Sequence, residues 1–518
     1  MPIQRWMPPS ICNPENLYLP FDNLDLEVGK TNGALPLSDT LRVKARLASR
    51  ESELRTLYDL SQSENSPLKK EQLRQASNIV DAQITKYKIA LAPWKLLPPE
   101  LLQIIFNYTH HSPHVTLPPR ISGTPVLICL VCKAWQTLAL STPELWSSVY
   151  VSLTRCRDPN ISRRRKQVER SLKIIKNWFT LAKGAPLHLD LVQGPDEWKT
   201  AYIERMVVPY LPRLKTLRLS VTPNTFDLFF KVPAGTMDSI VNLSVAADVV
   251  IFPSRTTKGT RGTLNPFGLS PQLTHLTLRL QPSNIIDPQY VAFPWTNLKI
   301  LHIDNNMYLE TFMEIAGMCG QLEELHTKIV CRGGPGVVKQ VNLPNLHTMS
   351  LSIVRVLSLH PLDFPVNAPK LRMLCLTGNV EGLFNTKAAY QALLRCFGCN
   401  LEEFSYKEIR HFSVLSGETI IEATPSLRKL SMPPKYTLSR DFLQRINDGE
   451  VGQSLEELEF IDLPDVEPIL DFLERQVSMQ KSTSNVRQVV IYCEDSWRLR
   501  YTSRIEALRK AGIEIISL

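Results

Sequence analysis

The sequence predicts an α/β chain in which N-terminal helices precede a long array of parallel strands. Three observations carry that expectation. From Leu214 onward, one short apolar pattern returns eleven times at a nearly constant interval. The stretches between its returns, such as LETFMEIAGMC and AAYQALLRCF, have helical character. Ahead of the array, residues 41–91 are charged and keep helical rather than strand spacing.

The whole chain sets the bounds. At 518 residues it has room for two to four domains or one extended repeat array. Hydrophobic residues make up 43% and charged residues 21%, so burying a core is no obstacle. The net charge of +9 is spread along the chain, which argues only weakly for a nucleic-acid partner. Ten cysteines sit mostly in apolar stretches, as Cys129, Cys132 and Cys375 do, and read as buried thiols of a reducing compartment. The start MPIQRWMPPS has no apolar run behind a basic segment, and the longest apolar run, Val126 to Cys132, stops at Lys133. No membrane span is expected, and the expected location is cytoplasm or nucleus.

Residues 1–40 hold six prolines and no sustained period, and are expected to form a loose tail. Residues 41–92 are expected to form a helical hairpin. Leu47, Leu54, Leu57 and Leu60 keep helical spacing, as do Leu73, Ile79 or Val80, and Ile84, with Pro67 opening the second helix.

Residues 93–150 are expected to form a three-helix unit. Pro98 and Pro99 start the first helix, with Glu100 at the positive end of its dipole. A second helix is expected from Val126 to Leu140, with Leu127, Leu130, Val131, Ala134 and Leu138 inward, and Thr142 is placed to cap a third. About 50 residues supply little core, so apolar surface left over would suit a partner. Residues 151–185 read as a linker helix with Ile174, Ile175, Trp178 and Leu181 on one side. The basic run Arg163 to Lys166 reads first as its solvated start, with a nuclear-import signal or a phosphate patch as the alternatives.

The array is expected over residues 186–518. Its pattern is an apolar residue, two others, an apolar residue, one other and an apolar residue. It runs from Leu214/Leu217/Leu219 through Leu298/Leu301/Ile303, the weaker Leu322/Leu325/Thr327 and Leu371/Leu374/Leu376 to Val486/Val489/Ile491. Successive starts lie 24 to 33 residues apart. The last two apolar positions are two residues apart and so enter the core from one side of a strand. This is the length and core signature of leucine-rich repeats, with parallel strands on the concave side and helices on the convex side. PLHLDL at 186–191 is expected to open the array and IEIISL at 513–518 to close it.

Within 93–150, LPPELLxxIF followed by LVCKxWxxLA and PELW resembles the F-box, and the preceding hairpin is similar to that of many fungal F-box proteins. The resemblance implies a substrate-recognition adaptor of a cullin–RING (SCF-type) ubiquitin ligase, with no catalysis of its own. By motif match, Leu97, Pro98, Pro99, Leu101 and Ile105 would dock a Skp-type adaptor, together with Leu127, Val131, Cys132, Lys133 and Trp135. The connection HHSPHVTLPPRISG is longer than the family's usual turn. The alternative function is a leucine-rich-repeat scaffold with no ligase role.

An unknown protein target is expected on the concave face, where Arg218, His275, Arg279, His302, Glu324 and His326 point away from the core. Early strands lean basic, so Arg218, Arg279 and His302 are candidates for an acidic or phosphorylated segment. No cofactor or metal is expected. Cys129 and Cys132 form a CxxC near His110, His111 and His114, but inside an apolar helix they read as small buried hydrophobes. Cys396 and Cys399 are a lone pair of the same kind. RGGPG at 332–336 lacks the lysine of a phosphate loop, and the surroundings of Ser270 do not match a nucleophile elbow.

Overall fold

The computed structural model describes residues 35–517 apart from 110–113, 117–119, 154–160, 194–199, 223–224, 226–228, 230–231, 234, 248–269, 281–292, 332–339, 357–365, 379–386, 408–416, 479–483 and 493–499. Most of the tail expected at 1–40, together with His110, His111 and RGGPG, lies outside the described residues. The fold is mixed α/β and separates into two compact units. One comprises 1–113, 121–147 and 180–185, and the other 114–120, 148–179 and 186–518.

Prolines set the starts of the first three helices of the first unit. Helix α1 (Leu37–Ser63) follows Pro36, and helix α2 (Pro67–Ala90) opens on Pro67. The hairpin therefore begins within the stretch expected to be tail. Val43, near the start of α1, packs against Tyr87 and Ala90 at the end of α2, and Lys88 pairs with Glu51 at 3.1 Å. Val80 and Ile84 are buried, whereas Leu60 and Ile79 are exposed.

Helix α3 (Pro99–Tyr108) starts where Pro98 and Pro99 direct, with Glu100 in its first turn. The single helix expected at 126–140 is instead two, α4 (Thr124–Val131) and α5 (Lys133–Ser141). Cys132 between them is extended, and its Sγ accepts a hydrogen bond from the Trp135 amide at 3.4 Å. A side chain that satisfies a first-turn N–H caps a new helix rather than continuing the old one. Thr142 caps no third helix. Its Oγ1 donates to the Leu138 carbonyl at 2.8 Å, and Pro143–Trp146 is a single 3₁₀ turn. The small core shared by α3, α4, α5 and this turn is Phe106, Ile128, Ala139, Leu145 and Trp146, with the Trp146 indole donating to the Ala139 carbonyl at 2.7 Å.

The second unit is built on a sheet of sixteen strands among the described residues. From Ser148–Ser152 to Glu514–Ser517, spatial order follows chain order. Among the described residues only Val341–Asn342 and Val366–Asn367 stand apart, pairing with each other. Every apolar position of all eleven pattern repeats is buried. One ladder carries the middle position from repeat to repeat: Leu217, Leu243, Leu276, Leu301, Leu325, Met349, Leu374, Phe404, Leu430, Leu458 and Val489, all in parallel register. Two expected strands are present, Leu187–Val192 and Glu514–Ser517. Helices Leu309–Met318 and Lys387–Phe397 fall on the expected inter-strand segments.

The sheet begins earlier than expected. Ser148–Ser152 pairs parallel with Leu187–Val192 through Val149 and Leu189, and His114–Thr116, inside the long connection, pairs parallel with Ser148–Ser152. Residues 151–185 are not a linker either. In helix α6 (Ile161–Leu181), Val168, Ser171, Ile175, Trp178 and Phe179 are buried, and Trp178 donates to the Ser148 carbonyl at 3.1 Å. The inward side is thus centred on Ile175 and Trp178, with Ile174 and Leu181 only half-buried. No helix among the described residues is long and apolar enough to cross a membrane.

Two candidate interaction faces

The first face lies on α3, α4 and α5. Phe106 is the one fully buried side chain of α3, and its ring stacks 5.0 Å from that of Trp135 at 59°. With Phe106 turned inward, Leu101, Ile104, Ile105 and Tyr108 are left exposed. On α4 only Pro125 and Ile128 are buried. Leu127, Leu130 and Val131 are therefore not inward as expected but 64%, 75% and 49% exposed, and Ala134 is exposed as well. The break at Cys132 resets the helical phase, so one continuous periodicity across 126–140 does not select the buried face.

Of the residues that the F-box-like motif singles out, Pro98, Pro99, Leu101, Ile105, Leu127, Val131 and Lys133 are exposed, whereas Leu97, Cys132 and Trp135 are half-buried. Leu96, Ile104, Tyr108, Leu130 and Leu140 are also exposed and were missed by the motif. The hydrophobicity of the whole segment was the available signal. The Cys129 thiol is pushed up by burial, as befits a small apolar filler. Among the described residues it takes part in no cluster of metal-ligating side chains. Cys399 is likewise pushed up, to about 11, by burial. Ser270 is buried and donates to the Met237 carbonyl at 2.9 Å.

The second face is the side of the sheet opposite the buried ladder. Strand alternation turns Thr216, Arg218, His275, Thr277, His302, Glu324 and His326 onto it, and all are half-buried or exposed. The expected basic end is internally neutralised. Arg279 Nε sits 2.5 Å from Asp304 Oδ2, Lys328 Nζ lies 3.7 Å from the other oxygen of that carboxylate, and Arg218 lies 4.0 Å from Asp190. His275 does not reach the other histidines on the face. Its Nδ1 lies 2.7 Å from its neighbour Thr274 Oγ1. Sequence reasoning missed His188 and Asp190, although the alternation of LHLDLV marked both as outward; His188 Nδ1 lies 2.9 Å from Thr216 Oγ1.

His302, Glu324 and His326 come together. His302 and His326 are register partners on adjacent strands, and Glu324 precedes His326 by two residues, on the same face. Both imidazoles turn Nε2 onto Glu324 Oε1, at 3.1 Å from His302 and 2.8 Å from His326, and their rings meet edge-on at 4.2 Å. Burial, with His326 beside it, holds the His302 imidazole below its ordinary value, so it is neutral near pH 7 rather than a cation for an acidic partner. Burial raises the Glu324 carboxyl, but hydrogen bonds and charge from His326 and His302 outweigh it and leave the group below its ordinary value, ionised. Farther along the sheet, the outward residues Glu403, Lys429 and Glu457 share one register row, with Lys429 and Glu457 paired at 2.7 Å.

No family model matches the chain, and no curated protein matches it at a significant level.

Proposed function

We propose that the chain is a substrate-recognition adaptor of a cullin–RING ubiquitin ligase. In this reading α3, α4 and α5 form an F-box-like unit that docks a Skp-type adaptor. The strand array is a leucine-rich-repeat solenoid whose open face binds the protein to be modified.

The observation that carries this reading is the exposure on α3 and α4. Leu101, Ile105, Leu127 and Val131 are motif positions of the F-box resemblance, and all are solvent-facing together with Ile104, Tyr108 and Leu130. Removing one such side chain from water is worth about 1.5–3 kcal/mol when burial is complete. Several buried at once offset the cost of association, and exposed apolar side chains in this number suit a binding surface. The chemistry of ubiquitin transfer would belong to other subunits.

One observation favours a repeat scaffold without a ligase role. The stretch between α3 and α4 exceeds the family's turn and carries a strand, His114–Thr116, of the large sheet. Capture by a purified Skp-type adaptor separates the two readings. The full chain is expected to be retained, and the double variant Leu101→Asp/Ile105→Asp is expected to be lost from the captured fraction while keeping the melting profile of the parent. Two charges placed in an apolar contact are costly only if that contact forms. Undiminished capture of the double variant, or no capture of the parent, sinks the docking assignment.

A further inference from the structure

His302, Glu324 and His326 bring two imidazole nitrogens and one carboxylate oxygen to within 4.8 Å of one another. They form the one group of three or more His, Cys, Asp or Glu donors that close among the described residues. We propose that these three side chains form a binding site for a zinc-class divalent transition ion on the open face of the sheet.

The backbone fixes the donor set. His302 and His326 occupy one register row of adjacent parallel strands, which places their Cα atoms about one strand spacing, roughly 4.8 Å, apart. Glu324 stands in the neighbouring row of the same face, two residues before His326. Three side chains from two hydrogen-bonded strands thus converge from a rigid base, and only side-chain torsions remain to be set. An ion at about 2.0–2.2 Å from nitrogen and oxygen ligands in a tetrahedral site holds its donors roughly 3.3 Å apart. The two carboxylate–imidazole distances, 3.1 and 2.8 Å, are already close to that separation.

Donor chemistry selects the ion. Two imidazoles and one carboxylate suit zinc and its neighbours, whereas magnesium and calcium require oxygen ligands throughout. Loading exchanges each Nε2–H···O contact for a metal–nitrogen bond, and the displaced Nε2 proton passes to Nδ1 of a neutral ring or to solvent from a protonated one. The cations nearby are turned elsewhere, with Arg279 and Lys328 both paired to Asp304. The three side chains keep 36–38% of their surface in solvent. A site with three protein ligands and an open side leaves the fourth position to water or to a side chain of a bound protein. This inference does not rest on the ubiquitin-ligase reading, and loss of adaptor capture leaves it standing.

The full chain, stripped with a chelator, is titrated with Zn²⁺ by calorimetry and with Co²⁺ by visible absorption. The expected result is one ion per chain, with Co²⁺ giving the intense bands of low-coordinate sites. His302→Ala and His326→Ala are each expected to weaken uptake by more than about 100-fold, beyond the loss typical of removing an outer-shell partner. Circular dichroism checks that both variants keep the fold. Should either lose it, Glu324→Gln, which preserves side-chain shape, is read in its place. No stoichiometric uptake by the parent, or parental uptake by the folded ligand variants, overturns the site.

Discussion

In α3 and α4, large apolar side chains face solvent; in the strand array almost none do. Beyond Leu140, Val477 and Tyr492 are the only large apolar side chains exposed among the described residues. The difference arises from what each region has for neighbours. A strand of the array has a parallel partner on each side, so the ladder from Leu217 to Val489 is covered by the repeats before and after it. The three helices together bury only Phe106, Pro125, Ile128 and Ala139, too little to cover their own apolar surface. Packing is limited by neighbours in one region and by size in the other.

Equivalent truncations test that contrast most directly. Leu374→Ala removes a fully buried member of the ladder and is expected to cost about 2–5 kcal/mol in denaturant unfolding. Leu127→Ala, on the exposed face of α4, is expected to stay within about 0.5 kcal/mol of the parent. Equal losses in the two variants would break the comparison, because they would mean that Leu127 is covered in solution.

A smaller effect sharpens it from the backbone side. Gly378 has φ +98° at the end of its strand, and a Cβ there would run into the Ile353 carbonyl oxygen of the adjacent strand. Gly378→Ala is expected to lose about 1–3 kcal/mol, read as a lower midpoint of the sheet's unfolding transition. An unchanged midpoint would show that the strand ends are not held in register there.

The smallest expected effect is a gain. Thr327 occupies the third apolar position of the weakest repeat, is buried, and its Oγ1 has no hydrogen-bond partner. Thr327→Val keeps the shape and removes an unsatisfied hydroxyl, so stability is expected to rise by about 1 kcal/mol. A loss of stability would indicate that the hydroxyl is satisfied, and that this repeat is less regular than its neighbours.

Legibility in the sequence differed between the two regions for the same reason. The array was readable because each repeat is a local pattern, and two-residue alternation fixes which side chains point inward whatever lies next door. The α3–α5 unit was readable in position but not in facing. The inward set expected for 126–140 failed because the helix breaks at Cys132, and a thiol capping a backbone N–H leaves no mark on hydrophobic periodicity. Ser148–Ser152 and His114–Thr116 were unreadable as strands because they are short, and only their parallel partners make them strands.

The sequence by itself determined the period, the buried positions and the outward alternation that turns Arg218, His275, His302, Glu324 and His326 to one side. Those come from strand geometry within single segments. Only the tertiary structure decided which outward residues meet. Arg279 reaches Asp304 on the next strand, while His302 reaches Glu324 and His326 across the connection that carries helix Leu309–Met318, with His302 and Glu324 22 residues apart in the chain. Register between strands is set by how the intervening chain closes and by the ladder it must complete, and neither is written in the local pattern of either strand.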